Sequence, residues 1–248
     1  MTTRTFDDRP AVRERVPLLI GIGGPSGSGK TYSALRLATG IQRVSGGDIY
    51  VVDTEARRAL HYADTFKFRH VEFSAPFSPE DYLAAIEHCA RKGAGVLVVD
   101  SMSHEHEGPG GVLEWHEREL DRMAGQDYAR RNAMTFSAWA KPKAARRHLI
   151  NAITQLGVNA IFCFRSKEKI RIPKKGEKDR EVRELGWVPI AGEEFVFEMT
   201  MQVLLYPGSR GVPNWDPELP GERAMTKLPS QFEAMFRGQQ LPLSEDIG

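Results

Sequence analysis

Gly24-Pro25-Ser26-Gly27-Ser28-Gly29-Lys30-Thr31 is the stretch on which the reading of this chain turns. It fits the pattern G-x-x-x-x-G-K-T in full. Glycines let a backbone curl so that several N–H groups face one anion. A helix beginning at the end of such a loop adds a dipole that favours negative charge. The spacing therefore predicts a cradle for the phosphates of a nucleoside triphosphate, made by Gly24, Pro25, Ser26, Gly27, Ser28, Gly29, Lys30, Thr31 and Tyr32. Lys30 is expected to reach the β- and γ-phosphates, and the Thr31 hydroxyl to serve Mg2+.

The flanks supply the context the motif needs. Val16 to Ile22 is an apolar run that predicts a buried strand, and Lys30 to Val44 carries apolar residues at helical spacing before Gly46-Gly47. Further strands are expected at Ile49–Val52, Val71–Phe73, Gly95–Val99 and Val158–Phe164. Helices are expected at Pro79–Arg91, capped by Ser78, and from about Gly111 to Met123 and Asp127 to Leu156. Buried strands alternating with amphipathic helices predict an α/β fold, a mostly parallel sheet flanked by helices. Phe195 to Tyr206 reads as strand, giving C-terminal antiparallel strands, and Phe232 to Phe236 as a short helix. The reading is one core over residues 16–240, a flexible arm at 1–15 and a flexible tail at 241–248.

Bulk properties exclude more than they select. The chain has 248 residues, enough for a sizeable core, and a formal net charge of +1. Global charge therefore points to neither nucleic acid nor membrane. Its two cysteines, Cys89 and Cys163, sit in apolar runs without metal or disulfide spacing, as buried thiols in a reducing compartment do. No apolar run is long enough to cross a bilayer. A soluble cytoplasmic protein is expected.

Carboxylates at strand ends are the next candidates. Asp100 ends Gly95-Val96-Leu97-Val98-Val99, where nucleotide-binding sheets place residues that hold magnesium. Asp53 and Glu55 end the preceding strand, and Glu55 is the expected carboxylate that orients the attacking water. Ser103-His104-Glu105-His106-Glu107 follows Asp100. It reads as a polar active-site loop, with Glu105 or Glu107 as the alternative catalytic carboxylate. Its histidines lack the third ligand a zinc site needs.

These residues together resemble the RecA-type core ATPases, including RadA- and KaiC-like proteins. Asp53-Thr54-Glu55 looks like the family's Asp-x-Glu element, and Val98-Val99-Asp100-Ser101 is similar to its magnesium-binding strand. Ile161-Phe162-Cys163-Phe164-Arg165 resembles the strand that ends in a γ-phosphate sensor; the family residue is commonly glutamine, and Arg165 stands here instead. A closer resemblance is to the core-only RecA-like ATPases of bacteriophages, grouped with Sak-type recombination proteins, from about residue 17 to about 240. It rests on Asp53-Thr54-Glu55 with Arg58-Ala59 and Tyr62-Ala63-Asp64, on Asp100 to Glu105 with Gly110 to Glu114, and on Arg165-Ser166-Lys167-Glu168-Lys169. The resemblance implies a RecA-like fold, hydrolysis of ATP with Mg2+, and catalytic roles for Glu55, Lys30 and Arg165. It also implies single-stranded DNA, a homo-oligomer and a single-strand-binding or annealing protein as partners, in a bacterial host cytoplasm.

Arg165 to Arg183 holds nine basic against four acidic residues and reads as a loop or mobile hairpin. Lys167, Lys169, Arg171, Lys174, Lys175, Lys178 and Arg180 are its candidate DNA contacts, since such a run can track a phosphate backbone. The same charges would also suit a solvated hairpin. A second basic cluster, Lys141, Lys143, Arg146 and Arg147, suits an interface, an arginine finger or a solvated face. Two other readings fit the motifs: a nucleotide-switched assembly protein indifferent to DNA, and a small-molecule kinase.

Overall fold

The structure is a computed structural model that describes residues 6, 8–173, 181–236 and 238–248. Strand β1 (Leu19–Gly24) runs through the phosphate loop into helix α1 (Lys30–Ser45). β2 (Asp48–Asp53), β3 (Arg69–Glu72), α2 (Pro79–Arg91) and β4 (Ala94–Asp100) follow. A helical stretch comes next: α3 (His104–Glu107), α4 (Val112–Ala124), α5 (Tyr128–Ala138) and α6 (Ala140–Thr154). The chain then forms β5 (Asn159–Arg171), β6 (Arg183–Pro189), α7 (Glu193–Glu198), β7 (Met201–Leu204), α8 (Pro220–Arg223) and α9 (Ser230–Phe236).

The main sheet has the order β3-β2-β4-β5-β1-β7, with every neighbouring pair parallel. β6 pairs antiparallel with the outer half of β5. Strand alternation sorts the core into two faces. Ile20, Ile22, Val51, Val98, Ile161 and Val203 pack with Leu37, Ala38 and Ile41 of α1. Val52, Leu97, Val99, Phe162 and Phe164 pack on the other face with Ile86 of α2 and Leu149, Ile150 and Ile153 of α6. Both faces are covered, so the strands read as unbroken apolar runs. Each buried aliphatic or aromatic side chain contributes about 1.5–3 kcal/mol.

Four expectations need correction. The single helix expected over Asp127–Leu156 is divided at Trp139, because Pro142 in the first turn of α6 has no N–H to give Ala138. β5 does not end at Phe164: charged residues continue it to Arg171, because ladder bonds to β6 do not require apolar side chains. Phe195 lies in α7, where it and Val196 are buried, and the strand after it, β7, is parallel to β1. Residues 241–248, expected as a flexible tail, pack against α1: Leu243 is buried, and Arg36 Nη2 lies 2.7 Å from Glu245 Oε2. Among the described residues of the expected arm, 6 and 8–15 are exposed and form no helix or strand.

Candidate nucleotide-binding site

Parallel register brings the predicted residues to one edge. Gly24 at the end of β1 is opposite Arg165 of β5, and Asp53 at the end of β2 is opposite Asp100 of β4. β5 lies between β1 and β4, so Arg165 emerges between the phosphate loop and Asp100. This is the carboxyl edge of an open sheet, where ligands of such folds bind.

The loop is shaped by its glycines. A Cβ on Gly24 would come within 2.6 Å of the Leu205 carbonyl oxygen, so only glycine fits that approach. Gly29 caps α1 with φ 88 and no side-chain hydrogen bond, which leaves first-turn N–H groups of α1 for an anion. Lys30 is buried, and its Nζ donates to the carbonyls of Gly24 (2.9 Å) and Pro25 (2.8 Å). Burial lowers the Lys30 ammonium from its ordinary value, against the pull of the Asp100 and Glu55 carboxylates.

Thr31 donates its hydroxyl to Asp100 Oδ2 at 2.5 Å. Burial pushes the Asp100 carboxyl up to about 6, opposed by that hydrogen bond and by Lys30. A hydroxyl and a buried carboxylate in contact form the hard oxygen donor set that Mg2+ prefers, so these two residues fit the ion. They line a cavity of about 360 Å3 with Ser26, Gly27, Gly29 and Lys30, together with Glu55, Arg58, His61, Tyr62 and Arg165.

The structure separates the two carboxylates of Asp53-Thr54-Glu55. Asp53 is buried and occupied: it accepts from the N–H of Glu55 (2.8 Å) and of Ala59 (2.9 Å), and lies 3.1 Å from His70 Nε2. Glu55 turns into the cavity, where Arg58 Nη1 is 3.6 Å and Arg165 Nε 3.9 Å from its oxygens. Thr54 joins the two strand ends. Its Oγ1 accepts from the Ser101 N–H (2.8 Å), donates to the Ser101 carbonyl (3.0 Å) and lies 2.8 Å from His104 Nδ1. That network assigns the proton of His104 to Nδ1 and leaves Nε2 as an acceptor, 3.5 Å from Arg165 Nη1 and 4.0 Å from Glu55 Oε1. Burial lowers His104 from its ordinary value, so the imidazole is neutral at neutral pH.

The rest of α3 faces elsewhere. Glu105 is buried in a bidentate pair with Arg146 of α6 (3.0 and 2.9 Å), and Arg146 also donates to His106 Nδ1 at 2.8 Å. Glu107 lies 3.8 Å from Lys167. Glu55 lines the cavity, and neither Glu105 nor Glu107 does. Within the basic cluster, Arg146 belongs to the core and Lys141 pairs with Glu119 at 3.1 Å. Lys167, Lys169 and Arg171 recur at every second residue of β5, on the ribbon it forms with β6. Lys174, Lys175, Lys178 and Arg180 lie outside the described residues. Sequence reasoning gave no role to Thr54, Arg58 or His61, although Thr54 and Arg58 lie in segments that carry the resemblance.

A parallel sheet with a phosphate loop on its first strand and a threonine–aspartate pair beside it defines a P-loop NTPase. Residues 17–199 match the family model described as an AAA domain, and the chain belongs to that family. No curated protein matches it. Two similar solved structures are both of the genome-packaging NTPase B204 from Sulfolobus turreted icosahedral virus 2, one in complex with AMP and one with sulfate. Each has a TM-score of 0.34, with 12% and 13% identity over 60% and 59% of this chain. The chain covers 65% and 64% of the length of those structures.

Proposed function

We propose that this chain binds ATP with Mg2+ and hydrolyses it, and that it acts on single-stranded DNA as a RecA-like protein of phage recombination or replication. One observation carries the hydrolysis: the Thr31–Asp100 pair, Lys30 and Glu55 line one and the same cavity. Mg2+, held by Thr31 and Asp100, would draw charge off the transferring phosphoryl group. The phosphate loop and Lys30 hold the triphosphate. Glu55 orients a water and takes its proton as the water oxygen bonds to the γ-phosphorus. The bond from that phosphorus to the bridging oxygen breaks, and its electron pair stays with ADP. Arg165 faces the charge that develops.

DNA action rests on Lys167, Lys169 and Arg171 along one ribbon that begins at Arg165, together with the resemblance of the sequence to phage RecA-like proteins. A homo-oligomer, a single-strand-binding or annealing partner and a bacterial host cytoplasm belong to the same proposal. Among the described residues no helix is long and apolar enough to cross a membrane. The test is ATP turnover by the purified protein with and without single-stranded DNA over a salt series. Stimulation that fades with salt supports the proposal. Turnover indifferent to DNA at every salt concentration removes its DNA part. In that case a nucleotide-switched assembly protein is the better reading, favoured by Tyr128 and Phe136 of α5, which are 78% and 89% exposed.

A further inference from the structure

Resting on that hydrolytic reading, we propose that Arg58 is a second catalytic cation: it leaves Glu55 when a triphosphate enters and binds the γ-phosphate from the same chain. Two guanidinium groups flank one carboxylate, with Arg58 on Oε2 and Arg165 on Oε1. Both arginines line the cavity with Lys30 and Thr31. The Glu55 side chain is 19% exposed whereas that of Arg58 is 69% exposed, so the arginine is the partner with room to move. A γ-phosphate carries more charge than a carboxylate and offers the guanidinium two oxygens. Transfer of Arg58 to it frees Glu55 for the water, so entry of the triphosphate itself arms the base. Arg58 makes and breaks no covalent bond.

The backbone singles out Arg58 from its neighbour. Ala56 and Arg57 have φ of 55 and 66, a left-handed conformation that non-glycine residues rarely adopt. Strain of this kind persists only where surrounding contacts enforce it. Here the Asp53 carboxylate ties down both ends of the turn, through the N–H groups of Glu55 and Ala59. The turn sends Arg57 out towards Glu72 of β3, 3.8 Å away, and Arg58 into the cavity.

The experiment compares wild type, Arg58→Ala and Arg58→Lys for affinity towards ADP and a non-hydrolysable ATP analogue, and for ATP turnover. Removal of an arginine that stabilises phosphoryl transfer costs 10³–10⁵ in rate elsewhere; with Arg165 sharing the charge, Arg58→Ala should lose about 10–100-fold in kcat. Analogue affinity should fall about tenfold, ADP affinity should stay within about twofold, and Arg58→Lys should recover only part of both losses. Equal loss of ADP and analogue affinity, or unchanged turnover and analogue affinity, would overturn the proposal. If wild type binds nucleotide without hydrolysing it, the hydrolytic reading fails, while the ADP-to-analogue comparison still decides whether Arg58 touches the γ-phosphate.

Discussion

Asp53 ends β2 and Glu55 lies two residues beyond it, and what distinguishes them is occupancy. Every described contact of Asp53 is internal, to two backbone N–H groups and His70, whereas the Glu55 carboxylate lines the cavity beside Arg58, Arg165 and His104. Glu55→Gln should therefore keep ATP affinity within about twofold and lose about 10²–10⁴ in turnover, the usual worth of a positioned acid or base. Retained turnover in that variant would end the assignment. Asp53→Asn should act differently, by loosening the turn and lowering stability as well as activity. The Asp-Thr-Glu pattern was legible in sequence. The division of labour inside it was not, because it depends on which carboxylate the turn after β2 folds back upon.

At the scale of elements, α3 divides its side chains among three places: His104 goes to Thr54 and Glu55, Glu105 and His106 to Arg146 of α6, and Glu107 to Lys167 of β5. Burial drives the Glu105 carboxyl above its ordinary value, with the Arg146 charge and hydrogen bonds opposing it. Breaking a buried pair leaves an uncompensated charge, so Arg146→Met should cost about 3–5 kcal/mol of stability. Chemical denaturation measures this, and a loss under about 1 kcal/mol would show that water reaches Glu105. His106 adds a pH dependence. Burial first, then Arg146, Lys167 and Lys169, lower its imidazole to about 4, with Glu194 opposing them. The unfolded chain binds that proton more readily, near the ordinary value of 6.5. Its contribution is therefore complete above about pH 6.5 and is lost as pH falls towards 4. His106→Gln should flatten the decline in stability over that window, and an unchanged slope would refute the burial of His106. None of this could be read in advance, since Glu105 and Arg146 are 41 residues apart and a helical arginine cluster looks solvent-facing in sequence.

For the whole molecule, the ribbon of β5 and β6 grows out of the strand that ends the site at Arg165, so one element spans the cavity and the basic row. Replacing Lys167, Lys169 and Arg171 together by serine should weaken single-stranded DNA binding and reduce its salt slope by about 2, at roughly 0.7 per phosphate contact. ATP turnover without DNA should persist, and an unchanged slope would move DNA to another surface. Sequence by itself determined the phosphate loop, the buried strands and the order of strand and helix. These follow from local rules: glycine conformation, apolar periodicity and caps such as Ser78, whose Oγ accepts from the Asp81 N–H at 3.1 Å. Tertiary structure decided the extension of β5, the parallel direction of β7, the docking of residues 241–248 on α1 and the pairing of Glu105 with Arg146. Each of these depends on a partner distant in the chain, as Arg36 and Glu245 do across 209 positions, and a local pattern carries no information about which distant group will be there.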